Sequence, residues 1–213
     1  MKTVIRNIAT FATMIATALG CAEAQIPHQP DVESPDVVFI GNSITELWYR
    51  DFPAFFEQNG YLNRGISGQT SAEIRARFAA DVVAKHPRVV VIGAGINDIA
   101  ENQGPVTDQE IIANIAAMAT AAEQAGIKVV IATLLPCNGF KWRPEIAPRE
   151  RIRRVNGLIK QLATSRGYKV ADYYTPLSTA EGGLPAAMTY DGCHPTPAAY
   201  RIMQQVIEPL IAR

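Results

Sequence analysis

A chain of 213 residues is long enough for one α/β domain with a full core and short for two. With 48% hydrophobic and 19% charged residues it is not a disordered polymer. Its 20 Lys and Arg against 20 Asp and Glu leave no electrostatic footprint for nucleic acid or an anionic membrane surface.

The first 24 residues read as a secretory leader. Lys2 and Arg6 form a positive start, Ile8 to Leu19 an apolar run, and Ala22-Glu23-Ala24 a small-residue cleavage signal. The run is about a dozen residues where a membrane span needs about 20. An exported protein, periplasmic or secreted, is expected, with no integral membrane segment after cleavage. A rival cut stands beside it: Leu19-Gly20-Cys21 resembles a lipobox and would leave a lipoprotein anchored at Cys21. Residues 25–36, with three prolines, read as a tether, and the domain as 37–213. The chain has neither a CxxC nor an HExxH pattern, so no metal and no cofactor is expected.

Val37-Val38-Phe39-Ile40 is a short apolar run that stops at Gly41, the pattern of a strand buried on both faces of a parallel sheet. Ser43 then falls just past its carboxyl end, where open α/β sheets bind ligands. Trp48 to Asn59 carries apolar residues at helical spacing, and its aromatics read as core before substrate platform. Tyr61 to Ile66 is a second strand. The turn Gly65 to Thr70 follows it, with Thr70 and Glu73 forming a capping-box pattern for the next helix. Val89 to Ile92 is the clearest strand, leading into Gly93-Ala94-Gly95-Ile96-Asn97-Asp98. A long amphipathic helix over 107–125 leads to a fourth strand, Lys128 to Leu135, and an irregular loop over 136–147. Such a loop at a strand's carboxyl end is more often functional than structural. A helix over 148–166, a fifth strand over 168–174, a loop over 175–189 and a last helix over 196–212 complete the chain. The alternation implies an α/β fold, a parallel sheet with helices on both faces.

Every polar cluster of note therefore falls on one edge of the sheet. His28 lies in the tether and His86 precedes the third strand at the opposite edge, so only His194 is placed to meet Ser43. A serine hydroxyl needs a base to take its proton as it attacks. His194 suits that role, and Asp191, three residues earlier, can accept the other ring N–H and fix the tautomer. Attack on an ester carbonyl makes an oxyanion. The backbone N–H groups of Ser43 and Gly68 and the amide of Asn97 are the candidate donors, although Asn97 could equally close a turn.

Four blocks together resemble the GDSL-type, or SGNH, serine hydrolases: Phe39 to Ile44, Asn63 to Thr70, Gly95-Ile96-Asn97-Asp98 and Asp191-Gly192-Cys193-His194. The resemblance implies Ser43 as nucleophile and first oxyanion donor, with Gly68 and Asn97 completing the oxyanion hole. It implies His194 as base and Asp191 as its partner. It also implies a flavodoxin-like three-layer α/β/α sandwich with a five-stranded parallel sheet. One departure is visible: the family's Asp before the nucleophile is Asn42 here, which bears on positioning more than on activity.

Asn42, Asn138 and Trp142 are the substrate-binding candidates. Trp142 and Trp48 can stack on a sugar ring, and core packing explains both equally well. Cys137 and Cys193 follow the fourth and fifth strands, and either form a disulfide pinning the Asp191–His194 loop or are two buried thiols. The leading expectation is an exported serine esterase hydrolysing short, acetyl-type esters, first of all on an acetylated carbohydrate, with a small ester as the other substrate. A lysophospholipase or arylesterase, a non-catalytic glycan-binding module and a flavin binder are the rivals.

Overall fold

The computed structural model describes residues 28–213; the leader 1–24, with Cys21, and the first residues of the tether lie outside the described residues. Five strands form one all-parallel sheet: β1 (Val37–Gly41), β2 (Tyr61–Gly65), β3 (Val89–Gly93), β4 (Lys128–Ala132) and β5 (Lys169–Ala171). Their order is β2-β1-β3-β4-β5, the doubly wound arrangement with its switch point between β1 and β3. β1 is buried along its whole length, as its unbroken apolar run requires.

Helices α3 (Ser71–Asp81), α5 (Asp108–Gln124) and α6 (Arg149–Arg166) pack side by side on one face. The other face carries α1 (Ser43–Asp51), α2 (Pro53–Glu57) and α8 (Pro197–Ile211); α4 (Ile96–Ile99) and α7 (Tyr174–Leu177) are short turns in the loops. Trp48 of α1 is buried, stacking on Phe55 at 5.4 Å and on Tyr200 of α8 at 5.6 Å, so it is core and not a sugar platform. Among the described residues no helix is long and apolar enough to cross a membrane.

Three boundaries differ from those expected. The first helix starts at Ser43 instead of Trp48 and breaks at Phe52, because Pro53 pushes the residue before it out of the helical region (φ −139°, ψ 60°). β4 ends at Ala132, where Asn156 of α6 takes over both backbone groups of Leu134, accepting from its N–H at 2.8 Å and donating to its carbonyl at 2.9 Å. β5 ends at Ala171 because Asp172 captures the N–H and hydroxyl of Thr175 and turns the chain into α7. From residue 28 the tether is docked. Gln29 donates to the carbonyl of Tyr61 at 2.8 Å and accepts from the N–H of Asn63 at 2.6 Å, covering part of the β2 edge as a partner strand would.

One feature of the sheet places the site. Gly41 pairs in register with both Gly65 and Gly93, so three neighbouring strands end in a row of glycines. The first turn of α1 lies directly on that row. A Cβ built on Gly65 would sit 2.6 Å from Glu46 Cα and closer still to its amide nitrogen. Gly65→Ala must therefore push α1 off the sheet, and we expect it to lower stability by about 1–3 kcal/mol or more. Thermal melting checks this, and an unchanged Tm would show that the helix start is not held by this contact.

Candidate active site

Asn42 is the N-cap of α1, its Oδ1 accepting the N–H of Ile44 at 3.0 Å. An aspartate would accept the same bond, which accounts physically for Asn at this position. The side chain is committed to the cap and 3% exposed, so it is not presented to substrate as expected. Ser43 is thus the first residue of a helix seated at the strand ends, and its N–H has no acceptor among the described residues.

The second partner comes from the other end of the chain. The loop after β5 folds into a tight turn in which Thr189 Oγ1 accepts from Gly192 N–H at 2.8 Å and donates to the carbonyl of His194 at 2.9 Å. Asp191 Oδ1 accepts the N–H groups of Cys193 and His194 at 2.9 and 2.7 Å. Its Oδ2 lies 2.7 Å from His194 Nδ1, and His194 Nε2 lies 3.0 Å from Ser43 Oγ. Burial pushes the Asp191 carboxyl up, but the His194 amide and imidazole and the Cys193 amide outweigh it and hold the pKa below its usual value. An ionised Oδ2 accepts, so Nδ1 carries the proton and Nε2 is left as acceptor for the serine hydroxyl. Ser43, His194 and Asp191 are brought together in that order across 151 residues of sequence.

The turn after β2 is held at nearly every point. Ile66 N–H donates to the Gly41 carbonyl, Ser67 N–H and hydroxyl to Glu46, Gln69 N–H to the Ile66 carbonyl, and Thr70 N–H to Glu73. Gly68, at φ +79°, is the residue whose N–H finds no protein acceptor among the described residues. Asn97, 3% exposed, donates one amide hydrogen to the Gln69 carbonyl at 3.0 Å, which fixes the orientation of the amide and leaves its second hydrogen.

Side chains that sequence reasoning passed over hold this frame. Glu46, buried one helical turn after Ser43, ties the turn to α1. Asp98, 2% exposed, accepts the N–H and hydroxyl of Ser71 at 2.7 and 2.5 Å, and burial raises its pKa against those bonds. Arg77 donates to the carbonyls of Gly41, the last residue of β1, and of Arg64, the last but one of β2, both at 2.9 Å. The spacing of Glu46 from Ser43 and the position of Asp98 beside Asn97 were the available signals; Arg77 left none.

The loop after β4 supplies Trp142, 42% exposed, whose ring lies 5.9 Å from the His194 imidazole at 34°. Asn138, by contrast, is used as a tie. It donates to the Leu184 carbonyl at 2.9 Å and accepts from Arg149 at 3.2 Å, bracing one loop against another instead of facing a substrate. Its N–H also bonds the Gly192 carbonyl at 2.8 Å, which brings Cys137 and Cys193 side by side. Both are buried free thiols; Cys137 donates to the Gly139 carbonyl at 3.4 Å, and the neighbouring Cys137 thiol together with burial raises the pKa of Cys193. Unfolding the leaderless chain without reductant is expected to release two reactive thiols; a count of zero would show that the disulfide forms instead. His28 lies 3.4 Å from Glu46, and His86 precedes β3, so neither joins Ser43.

Comparison with known proteins identifies the family. The family model described as GDSL-like Lipase/Acylhydrolase matches residues 39–202. The chain is 31% identical over 182 residues to Esterase TesA of Pseudomonas aeruginosa, covering 81% of this chain and 83% of that protein. It is 26% identical over 150 residues to an acetylxylan esterase of Geobacillus stearothermophilus, covering 67% of each. Among solved structures, a GDSL-like lipase from Bacteroides thetaiotaomicron is 41% identical with a TM-score of 0.81, over 87% of this chain and 91% of that one. The chain belongs to the GDSL-like lipase/acylhydrolase family and is a hydrolase acting on ester bonds.

Proposed function

We propose that the protein is an exported serine esterase that removes short acyl groups, acetyl first, from a carbohydrate. The observation that carries this reading is the unbroken line from Asp191 through His194 to the Ser43 hydroxyl, 2.7 and 3.0 Å long. Ser43 Oγ attacks the ester carbonyl while its proton passes to His194 Nε2, and Asp191 stabilises the imidazolium. The N–H groups of Ser43 and Gly68, both without acceptors among the described residues, and the remaining amide hydrogen of Asn97 receive the oxyanion. The bond to the alcohol breaks, the Nε2 proton goes to the leaving oxygen, and an acyl-Ser43 remains. Water then repeats the sequence and releases the acid.

A cavity of about 40 Å³ is lined by buried side chains, Asn42, Ile44, Trp48, Val91, Ile96 and Tyr173 among them, and by none of Ser43, Gly68, Asn97 and His194, so it belongs to the core; the short acyl group is supported by the likeness to an acetylxylan esterase. The carbohydrate is supported by the likeness to an acetylxylan esterase, and export by residues 1–24. Hydrolysis of p-nitrophenyl esters of graded chain length, with an acetylated xyloside beside them, tests the reading. The rate is expected to fall from acetate to longer chains. A rate that rises to octanoate would replace it with a lipid-directed acylhydrolase.

A further inference from the structure

We propose that Trp142 is the surface that recognises the alcohol half of the ester, taking the C–H face of a pyranose ring. We infer further that Asn102 is a positioning residue locking this surface to the Gly68 turn. The inference rests on the esterase reading and adds the side from which the sugar enters.

The leaving alkoxide must receive the proton held by His194 Nε2, so the body of the alcohol lies beside the imidazole. Trp142 is the aromatic ring next to that imidazole, 5.9 Å away and 42% exposed. It is backed by Phe140, buried, at 5.2 Å. Ile66, Trp142 and Tyr190 are the large apolar side chains exposed among the described residues, and all three lie in loops after strands, on the same edge as Ser43. Two aromatic rings and one aliphatic side chain exposed on the edge that carries Ser43 suit a sugar-binding rim.

Asn102 ties this ring to the oxyanion turn. Its Oδ1 accepts from Trp142 Nε1 at 3.0 Å and its Nδ2 donates to the Gly68 carbonyl at 3.0 Å. The orientation is forced, since an indole N–H only donates and a carbonyl only accepts. Arg143, the next residue after the ring, is held by the carbonyl and carboxylate of Glu101, at 3.3 and 3.4 Å. One amide therefore sets both where the alcohol stacks and how the peptide bearing the Gly68 carbonyl is turned.

The test compares kcat/KM for a monoacetylated methyl xylopyranoside with that for methyl acetate, whose alcohol is too small to stack. In Trp142→Ala the ratio of the two is expected to fall roughly tenfold, the scale of one lost stacking contact. Trp142→Phe, which keeps a ring, falls between wild type and Ala. Asn102→Asp keeps the acceptor for the indole but loses the donor to Gly68, so kcat falls on both esters while their ratio stays near that of wild type. Asn102→Ala loses both. Equal losses on the two esters in Trp142→Ala would overturn the platform and leave Trp142 as support for His194. A ratio that collapses in Asn102→Asp as far as in Asn102→Ala would overturn the positioning role. A wild-type protein that hydrolyses neither ester would instead remove the esterase reading itself.

Discussion

Ser43→Ala and His194→Ala are each expected to cut kcat on p-nitrophenyl acetate by several orders of magnitude, up to roughly 10⁶ if the three residues act as one unit. The reason is geometric. Ser43 Oγ and His194 Nε2 stand 3.0 Å apart, so the proton has one short path, and neither His28 nor His86 is placed to supply another. Combining the two substitutions should cost little more than either alone, because removing one member leaves the other without a task. What survives is the contribution of the oxyanion donors and of binding, which both variants retain. Neither change disturbs the cap of α1, which Asn42 makes, so melting temperatures should stay close to wild type. Losses that add when the variants are combined would show that Ser43 and His194 act separately.

Asp191→Asn carries the second large effect, a fall in kcat of roughly 10⁴ by analogy with other triads. Asn can still accept the amides of Cys193 and His194 through its oxygen, so the turn survives. Its NH₂ then faces His194 Nδ1, which can be satisfied only if Nδ1 becomes the acceptor and the proton moves to Nε2. The base then points a donor at the serine hydroxyl. The same substitution has a signature in stability. Because the folded carboxyl titrates below its ordinary value, its contribution is fully present above about pH 4 and is lost as pH falls through the lower folded value. The stability gap between wild type and Asp191→Asn should therefore close on acidification; a gap independent of pH would contradict an ionised Asp191 held by these hydrogen bonds.

The sheet was legible in the sequence because its strands are buried on both faces, so Val37 to Ile40 and Val89 to Ile92 had to be unbroken apolar runs. Ser43, Asp191 and His194 were legible because topology alone puts strand ends on one edge. The helix start was not, since Ser43, Ile44 and Thr45 read as the loop they would form without Asn42's cap and the glycine row beneath them. Asn102 gave no signal for a related reason. Its partners Gly68 and Trp142 lie 34 residues before it and 40 after it, and no local pattern carries such a contact. Asn138 misled in the opposite sense: an exposed Asn in a long loop at the right edge looks like a ligand group, yet both ends of its amide are spent on Leu184 and Arg149. Gln29 likewise sits among prolines that suggest a free linker, and only the open edge of β2 explains its burial.

The central claim is that Ser43 carries the acyl group, and covalent labelling reads that directly. After reaction with an aryl organophosphate, peptide mass analysis should find one phosphoryl group per chain, on the peptide containing Ser43. Loss of esterase activity should track that label, and Ser43→Ala should take up none. A label on another residue, or full activity in a protein whose Ser43 is fully labelled, would contradict the account.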